Sequence, residues 1–116
     1  MADITRTYRI RDPRGLEVTL APSRWNRHIL VHHLEMASQL KNVLLTIEEP
    51  EVIQLSTYDP DVHLYFRRKA AGFGKFSRLY IEVVVRLDTE SVSGHILTAH
   101  YTNALEKGRI LWARKR

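Results

Sequence analysis

Residues 78–87 read RLYIEVVVRL. Side chains alternate across a β-strand, so the run divides into Leu79, Ile81, Val83, Val85 and Leu87 on one face and Tyr80, Glu82, Val84 and Arg86 on the other. The first set is wholly apolar and belongs in a core. The second carries a carboxylate and a guanidinium, which are costly to bury unless paired, so it faces water or a groove. A sheet covered on one face and open on the other is the expected architecture.

Four further stretches have the same β-like composition: VIQLS (52–56), VHLYFRR (62–68), GHILTAHYT (94–102) and RILW (109–112). The connections TYDPD, KAAGFGKFS, DTESVS and NALEKG are rich in turn residues. An antiparallel meander follows. Sorting the strands by alternation puts Val62, Leu64 and Phe66 inward with His63, Tyr65 and Arg67 outward. It also puts Leu97, Ala99 and Tyr101 inward, with His95 at the strand mouth, and Thr98, His100 and Thr102 outward.

Before the sheet, residues 5–20 are expected to form a hairpin around Asp12-Pro13-Arg14-Gly15, where proline presets the turn and glycine accepts positive φ. Ser23 is a plausible N-cap for a helix beginning at Arg24, which would place Trp25, His28, Ile29 and His32 on one face. Met36, Leu40, Val43, Leu44 and Ile47 form an apolar stripe that Glu48-Glu49-Pro50 stops. The segment 24–48 is therefore two helices, or one bent one. The expected fold is α+β, one domain over 1–116: an N-terminal hairpin and two helices packed on one face of a four- to five-stranded antiparallel β-meander spanning 52–112.

Composition narrows the chemistry. Hydrophobic residues make up 44% and charged residues 27%, the balance of an ordinary globular domain. With no cysteine, disulfides, thiolate metal sites and thiol nucleophiles are excluded. No run approaches the roughly 18 apolar residues of a membrane span, and the N-terminus has no apolar stretch of a secretory signal. The expectation is a cytoplasmic protein without a membrane partner. The formal charge of +5 favours polyanionic partners, with plain solubility charge as the alternative.

On the open face, Tyr65, Arg67, Tyr80, Glu82, Arg86, Thr98 and His100 are expected to converge. Such a set suits metal-free cleavage of RNA. A carboxylate or imidazole takes the proton of the ribose 2′-hydroxyl, an imidazolium protonates the leaving 5′-oxygen, and arginines hold the phosphate. Histidine fits the acid role because its unperturbed pKa is about 6.5. One well-placed acid or base contributes roughly 10²- to 10⁴-fold. Exposed sheet faces are also commonly built of Thr, Tyr, Arg, Glu and His for strand pairing alone.

The motifs Trp25-Asn26-Arg27-His28-Ile29 and His33-Leu34-Glu35-Met36, the pair of hydrophobic strands, and the ending Thr98-Ala99-His100-Tyr101 with Lys107-Gly108 and Leu111-Trp112 carry a likeness. Over residues 24–112 the chain resembles the barnase, EndoU, colicin and RelE-like nuclease superfamily, in particular its small phage-associated and toxin-like members. Their pattern is W-x-x-H-I…H-P-E on a helix and a closing T-A-Y strand. Leu34 stands where the pattern has proline, and His100 where it has tyrosine. The resemblance implies a metal-independent endoribonuclease, toxin-like, with RNA as substrate, no cofactor, and a cognate antitoxin or immunity protein as a possible partner. It implies His100 as general acid, Glu82 as base, and Arg67 and Arg86 as phosphate ligands, with Thr98 and Tyr80 beside them. His28 belongs to the helix motif; it either reaches the groove as the helix end curls round a sheet edge, or is structural.

Three rival readings remain. His28 and His32, four apart on a helix, could seat zinc, but no third ligand follows from spacing. In FGKFSR (73–78), Phe73 or Phe76 could stack on a base while Lys75 meets phosphate; an ordinary hairpin connection is the alternative. The whole basic face could be a non-catalytic RNA- or protein-binding module on a degenerate nuclease fold.

Overall fold

In the computed structural model, residues 3–69, 79–88 and 92–115 are described. The strands are β1 (Tyr8–Arg11), β2 (Glu17–Leu20), β3 (Val52–Leu55), β4 (Val62–Arg68), β5 (Tyr80–Leu87), β6 (Ser93–Thr102) and β7 (Ile110–Ala113). Between β2 and β3 lie α1 (Pro22–Arg24), a π-helical stretch (Trp25–Ile29), α2 (Leu30–His32), a 3-10 turn (Leu34–Met36) and α3 (Leu40–Glu48). The connection expected at 73–78 lies outside the described residues.

The β1–β2 hairpin turns as its sequence demands. Gly15 takes φ +88°, and the Asp12 carboxylate accepts the backbone N–H groups of Arg14 and Leu16 at 2.8 and 2.9 Å. The first helix starts two residues earlier than the Ser23 cap implies. Pro22 occupies its first turn behind Ala21, with no side-chain cap, because a fixed φ near −65° and an absent N–H suit that position.

The α+β class is as expected, but the sheet is larger. Among the described residues it has seven strands in the order β1-β2-β6-β5-β4-β3-β7. Two features depart from a simple meander. First, β2 pairs parallel with β6 (Glu17↔Ser93 to Thr19↔His95), so the hairpin extends the sheet instead of packing on it. Second, β7 pairs with β3 at the far edge. Residues 103–109 must therefore cross β5, β4 and β3. Where this crossover passes Leu55, Gly108 lies so close to the Leu55 carbonyl that a Cβ would overlap it, which accounts for glycine there.

One face of the sheet carries the main core. Trp25, Ile29, Met36, Val43 and Ile47 from the helical segments pack against Ile53, Tyr65, Ile81, Val83, Val85, Ile96 and Ala99. At about 1.5–3 kcal/mol for each large apolar side chain removed from water, this layer is the chief source of stability.

The alternation assigned to β5 holds: Ile81, Val83 and Val85 are in this core. That assigned to β4 is reversed. Directly opposed residues in an antiparallel pair share a face, and the register Leu64↔Val84 and Tyr65↔Val83 sends Tyr65 inward and Val62, Leu64 and Phe66 to the other side. There they form a second apolar cluster with Tyr80, Val84 and Leu97. Leu97, expected inward, joins this cluster because a register irregularity between Val84 and Val85 brings Ile96 opposite Val85. The face expected to be open thus has an apolar floor of its own.

No helix among the described residues is long and apolar enough to cross a membrane.

Candidate functional site

Strand register arranges the second face in rows. The central row is Val52–Phe66–Glu82–His100, formed by the pairs Val52↔Phe66, Phe66↔Glu82 and Glu82↔His100. On one side lies Gln54–Leu64–Val84–Thr98; on the other, Arg68–Tyr80–Thr102. Adjacent rows are about 7 Å apart, two residues along each strand.

Glu82 and His100 are therefore cross-strand neighbours, with His100 Nε2 3.6 Å from Glu82 Oε1. The Glu82 side chain is only 4% exposed, whereas that of His100 is 30% exposed. Burial pushes the Glu82 carboxyl above the usual glutamate range; the His100 charge opposes this and the Glu106 charge adds to it. The other imidazole nitrogen, Nδ1, is 3.1 Å from the Tyr101 carbonyl oxygen. Both ring nitrogens of His100 thus lie near oxygens, Nδ1 at hydrogen-bond distance and Nε2 beyond it.

A second histidine completes the centre, and sequence reasoning did not assign it to the site. His33 stacks on His100 with ring centroids 5.3 Å apart and planes inclined by 29°. It sits where α2 ends, at φ −136° and ψ 66°, between the helix and the 3-10 turn. Strand β2 covers only Ser93 to His95 of β6, so the later part of that edge is open to the helical segment, which packs against it. The helix end does curl round the sheet edge, as one alternative held, but it delivers His33 and not His28. The His33 side chain is 31% exposed, with Nδ1 3.7 Å from Glu35 Oε2. The His33-Leu34-Glu35 motif was the available signal; what it lacked was the position of the edge.

The remaining expected residues divide. Thr98 faces the site, with its Oγ1 buried and without a hydrogen-bond partner. Tyr80 faces it one row away, under the Arg68 guanidinium at 5.7 Å. Arg86 is on the same face at its far end, where Nη2 bonds Asp59 at 2.6 Å. Arg67 is on the opposite face, donating from Nη1 to the Glu49 carbonyl at 2.6 Å, so it cannot share a ligand with His100. Arg68 takes the place expected for Arg67, because β4 has the reverse alternation. Tyr65 is buried in the main core. His28 stays on the helix beside His32, ring centroids 4.9 Å apart. Burial lowers the His28 pKa, and the charges of Arg24, His32 and His33 lower it further.

Among the described residues, three buried side-chain atoms lack a hydrogen-bond partner: Gln54 Oε1, Glu82 Oε1 and Thr98 Oγ1. All three lie on this face. Native structures leave few such groups, and each calls for an explanation such as a ligand or a catalytic role. Among the described residues no group of three or more metal-ligating side chains is assembled, so the His28–His32 pair gains no third ligand.

No protein-family model, curated protein or solved structure matches the chain.

Proposed function

We propose that this face is the active site of a metal-independent endoribonuclease of the kind the sequence resembles. Support comes from the stacked His100–His33 pair with the buried Glu82 carboxylate behind it. Cleavage by the 2′-hydroxyl needs a base on the nucleophile and an acid on the leaving oxygen, on opposite sides of the phosphorus. The sequence expectation makes Glu82 the base; with its Oε1 3.6 Å from His100 Nε2 and buried behind that ring, the role is assigned here to His33 instead. His100 keeps the acid role. Its Nε2–Oε1 separation of 3.6 Å is too long for a hydrogen bond, so the proton is available to a leaving 5′-oxygen.

His33 is the base. Its ring stacks on that of His100 with centroids 5.3 Å apart, so the two imidazoles sit together at the end of the central row. Glu82 is a positioning residue, its buried carboxyl 3.6 Å from His100 Nε2. Arg68 supplies a cation one row away, and the net charge of +5 draws the polyanion in.

The test is incubation with labelled RNA and DNA in chelator. RNA should yield 2′,3′-cyclic phosphate ends while DNA stays intact. His100→Ala and His33→Ala should each lower the rate about 10²- to 10⁴-fold. Salt-sensitive binding of RNA that remains uncut would favour the binding-module reading instead.

A further inference from the structure

Where the hairpin tip meets β4 and the end of β5 there is a cavity of about 440 Å³, within the roughly 300–1,000 Å³ of small-molecule sites. Arg14 and Leu16 line it from the hairpin, His63 and Leu87 from the sheet, and Val92, 81% exposed, stands at its rim. His63 pairs in register with Val85 of the main core, so the cavity is on the opposite face from His100 and is independent of the ribonuclease reading. Leu16, Leu87 and Val92 make its walls apolar. Its polar groups are donors. His63 is 9% exposed, and its Nδ1 accepts from Arg14 Nη2 at 3.1 Å, which fixes the ring proton on Nε2. Arg14 commits Nε and Nη2 to Asp12, and Nη2 also to Tyr65 and His63. Among the described residues, neither His63 Nε2 nor Arg14 Nη1 has an acceptor, and neither is among the sealed atoms without a partner, so both keep surface on the cavity they line.

Burial is the first cause of the lowered His63 pKa, and of the two charges beside the ring Arg14 outweighs Asp12, so the local field is positive. Two unfilled donors in an apolar cavity and a positive field call for a ligand with two adjacent acceptors, one negative charge and an apolar body. We propose that the cavity binds a small apolar carboxylate, its oxygens on His63 Nε2–H and Arg14 Nη1 and its hydrocarbon part against Leu16, Leu87 and Val92. A phosphate monoester would leave a second charge and a third oxygen among apolar walls, and an amine would set donor against donor. The bonds of Arg14 to Asp12 and Tyr65 hold both donors in place before a ligand arrives, which lowers the ordering cost of binding.

Phenylacetate, benzoate and isovalerate are titrated calorimetrically against the intact protein, with phenylacetamide and acetate as controls. Phenylacetate should bind at least about tenfold tighter than phenylacetamide, which lacks the charge, and acetate should bind more weakly than all three acids because it buries little hydrocarbon. His63→Phe should lower the affinity for the acids about tenfold or more, with unchanged thermal melting as the check on its fold. Val92→Glu changes an exposed side chain and should weaken the acids severalfold by charge repulsion while leaving phenylacetamide unchanged. In ¹⁵N spectra of the histidine side chains, the acids should move His63 and leave His33 and His100 in place. No saturable binding of any of the three acids, equal affinity for phenylacetamide, affinity that survives Val92→Glu, or shifts at His33 and His100 in place of His63 would overturn the site.

Discussion

The two faces of the sheet hold two polar clusters that use the same residue types to opposite ends. On the helix-covered face, the hairpin tip is clamped to β4. Tyr65 donates its hydroxyl proton to Asp12 Oδ2 at 2.6 Å, and Arg14 donates to the same oxygen from Nε and Nη2 at 3.0 and 2.9 Å. Arg14 Nη2 also reaches the Tyr65 hydroxyl at 3.0 Å and His63 Nδ1 at 3.1 Å. As arginine only donates, His63 Nδ1 must accept, so that imidazole is held neutral. Burial and the adjacent Arg14 charge accordingly depress its pKa. The Asp12 side chain has no exposed surface, and both its oxygens have partners. On the other face, Gln54 Oε1, Glu82 Oε1 and Thr98 Oγ1 are buried without a hydrogen-bond partner. A satisfied buried network is architecture; an unsatisfied one gives up stability and calls for an explanation such as a ligand.

The comparison is broken or sharpened by substitutions at matched positions. Asp12→Ala should have the largest effect, a loss of about 3–5 kcal/mol, because it strands a partly buried guanidinium and removes the anchor of the hairpin tip. Urea denaturation monitored by tryptophan fluorescence measures it, and a loss below about 1 kcal/mol would mean the clamp is not structural. Tyr65→Phe should cost about 1–3 kcal/mol, the expense of leaving buried partners short of one hydroxyl.

Glu82→Gln should go the other way. The raised pKa means that the folded protein holds this proton at a pH where the unfolded chain has released it. Stability contributed by the protonated carboxyl is present below the ordinary value of 4.5 and is lost as pH rises through the raised one. The glutamine variant should therefore melt higher than the parent at pH 7–8, the advantage closing below pH 4.5, while RNA cleavage falls. A lower melting point at pH 8 would show Glu82 to be a structural partner of His100.

Asp12 has the opposite sign. Burial alone would raise its pKa, but the hydrogen bonds from Tyr65, the Leu16 N–H and Arg14 outweigh it and lower the carboxyl below 3.8. Its contribution is thus fully present above pH 3.8 and is lost as pH falls through the lower folded value. In acid titrations the Asp12→Ala variant should lack this low-pH step.

Much of the core and part of the site were legible in the residues. Leu79–Leu87 announces its two faces because an apolar set alternates with Glu82 and Arg86, and Glu82↔His100 follows once β5 and β6 are neighbours. Strand β4 was misleading rather than silent: in VHLYFRR the apolar parity is Val62, Leu64 and Phe66, and alternation alone sends it to the main core, whereas the structure buries Tyr65 there. The hydroxyl partners of Tyr65 decide the face, and these come from Asp12 and Arg14, some fifty positions away. The same reversal exchanged Arg67 for Arg68.

By itself, then, the sequence determined the α+β class, the two faces of β5, the hairpin turn at Asp12–Gly15 and the pairing of an acid with an imidazole, because these depend on local periodicity and turn chemistry. Only the tertiary structure decided the parallel β2–β6 contact, the crossover that carries β7 to the far edge and the arrival of His33 beside His100. Those depend on which edges meet and on register between distant segments, where a shift of a single residue exchanges one face for the other.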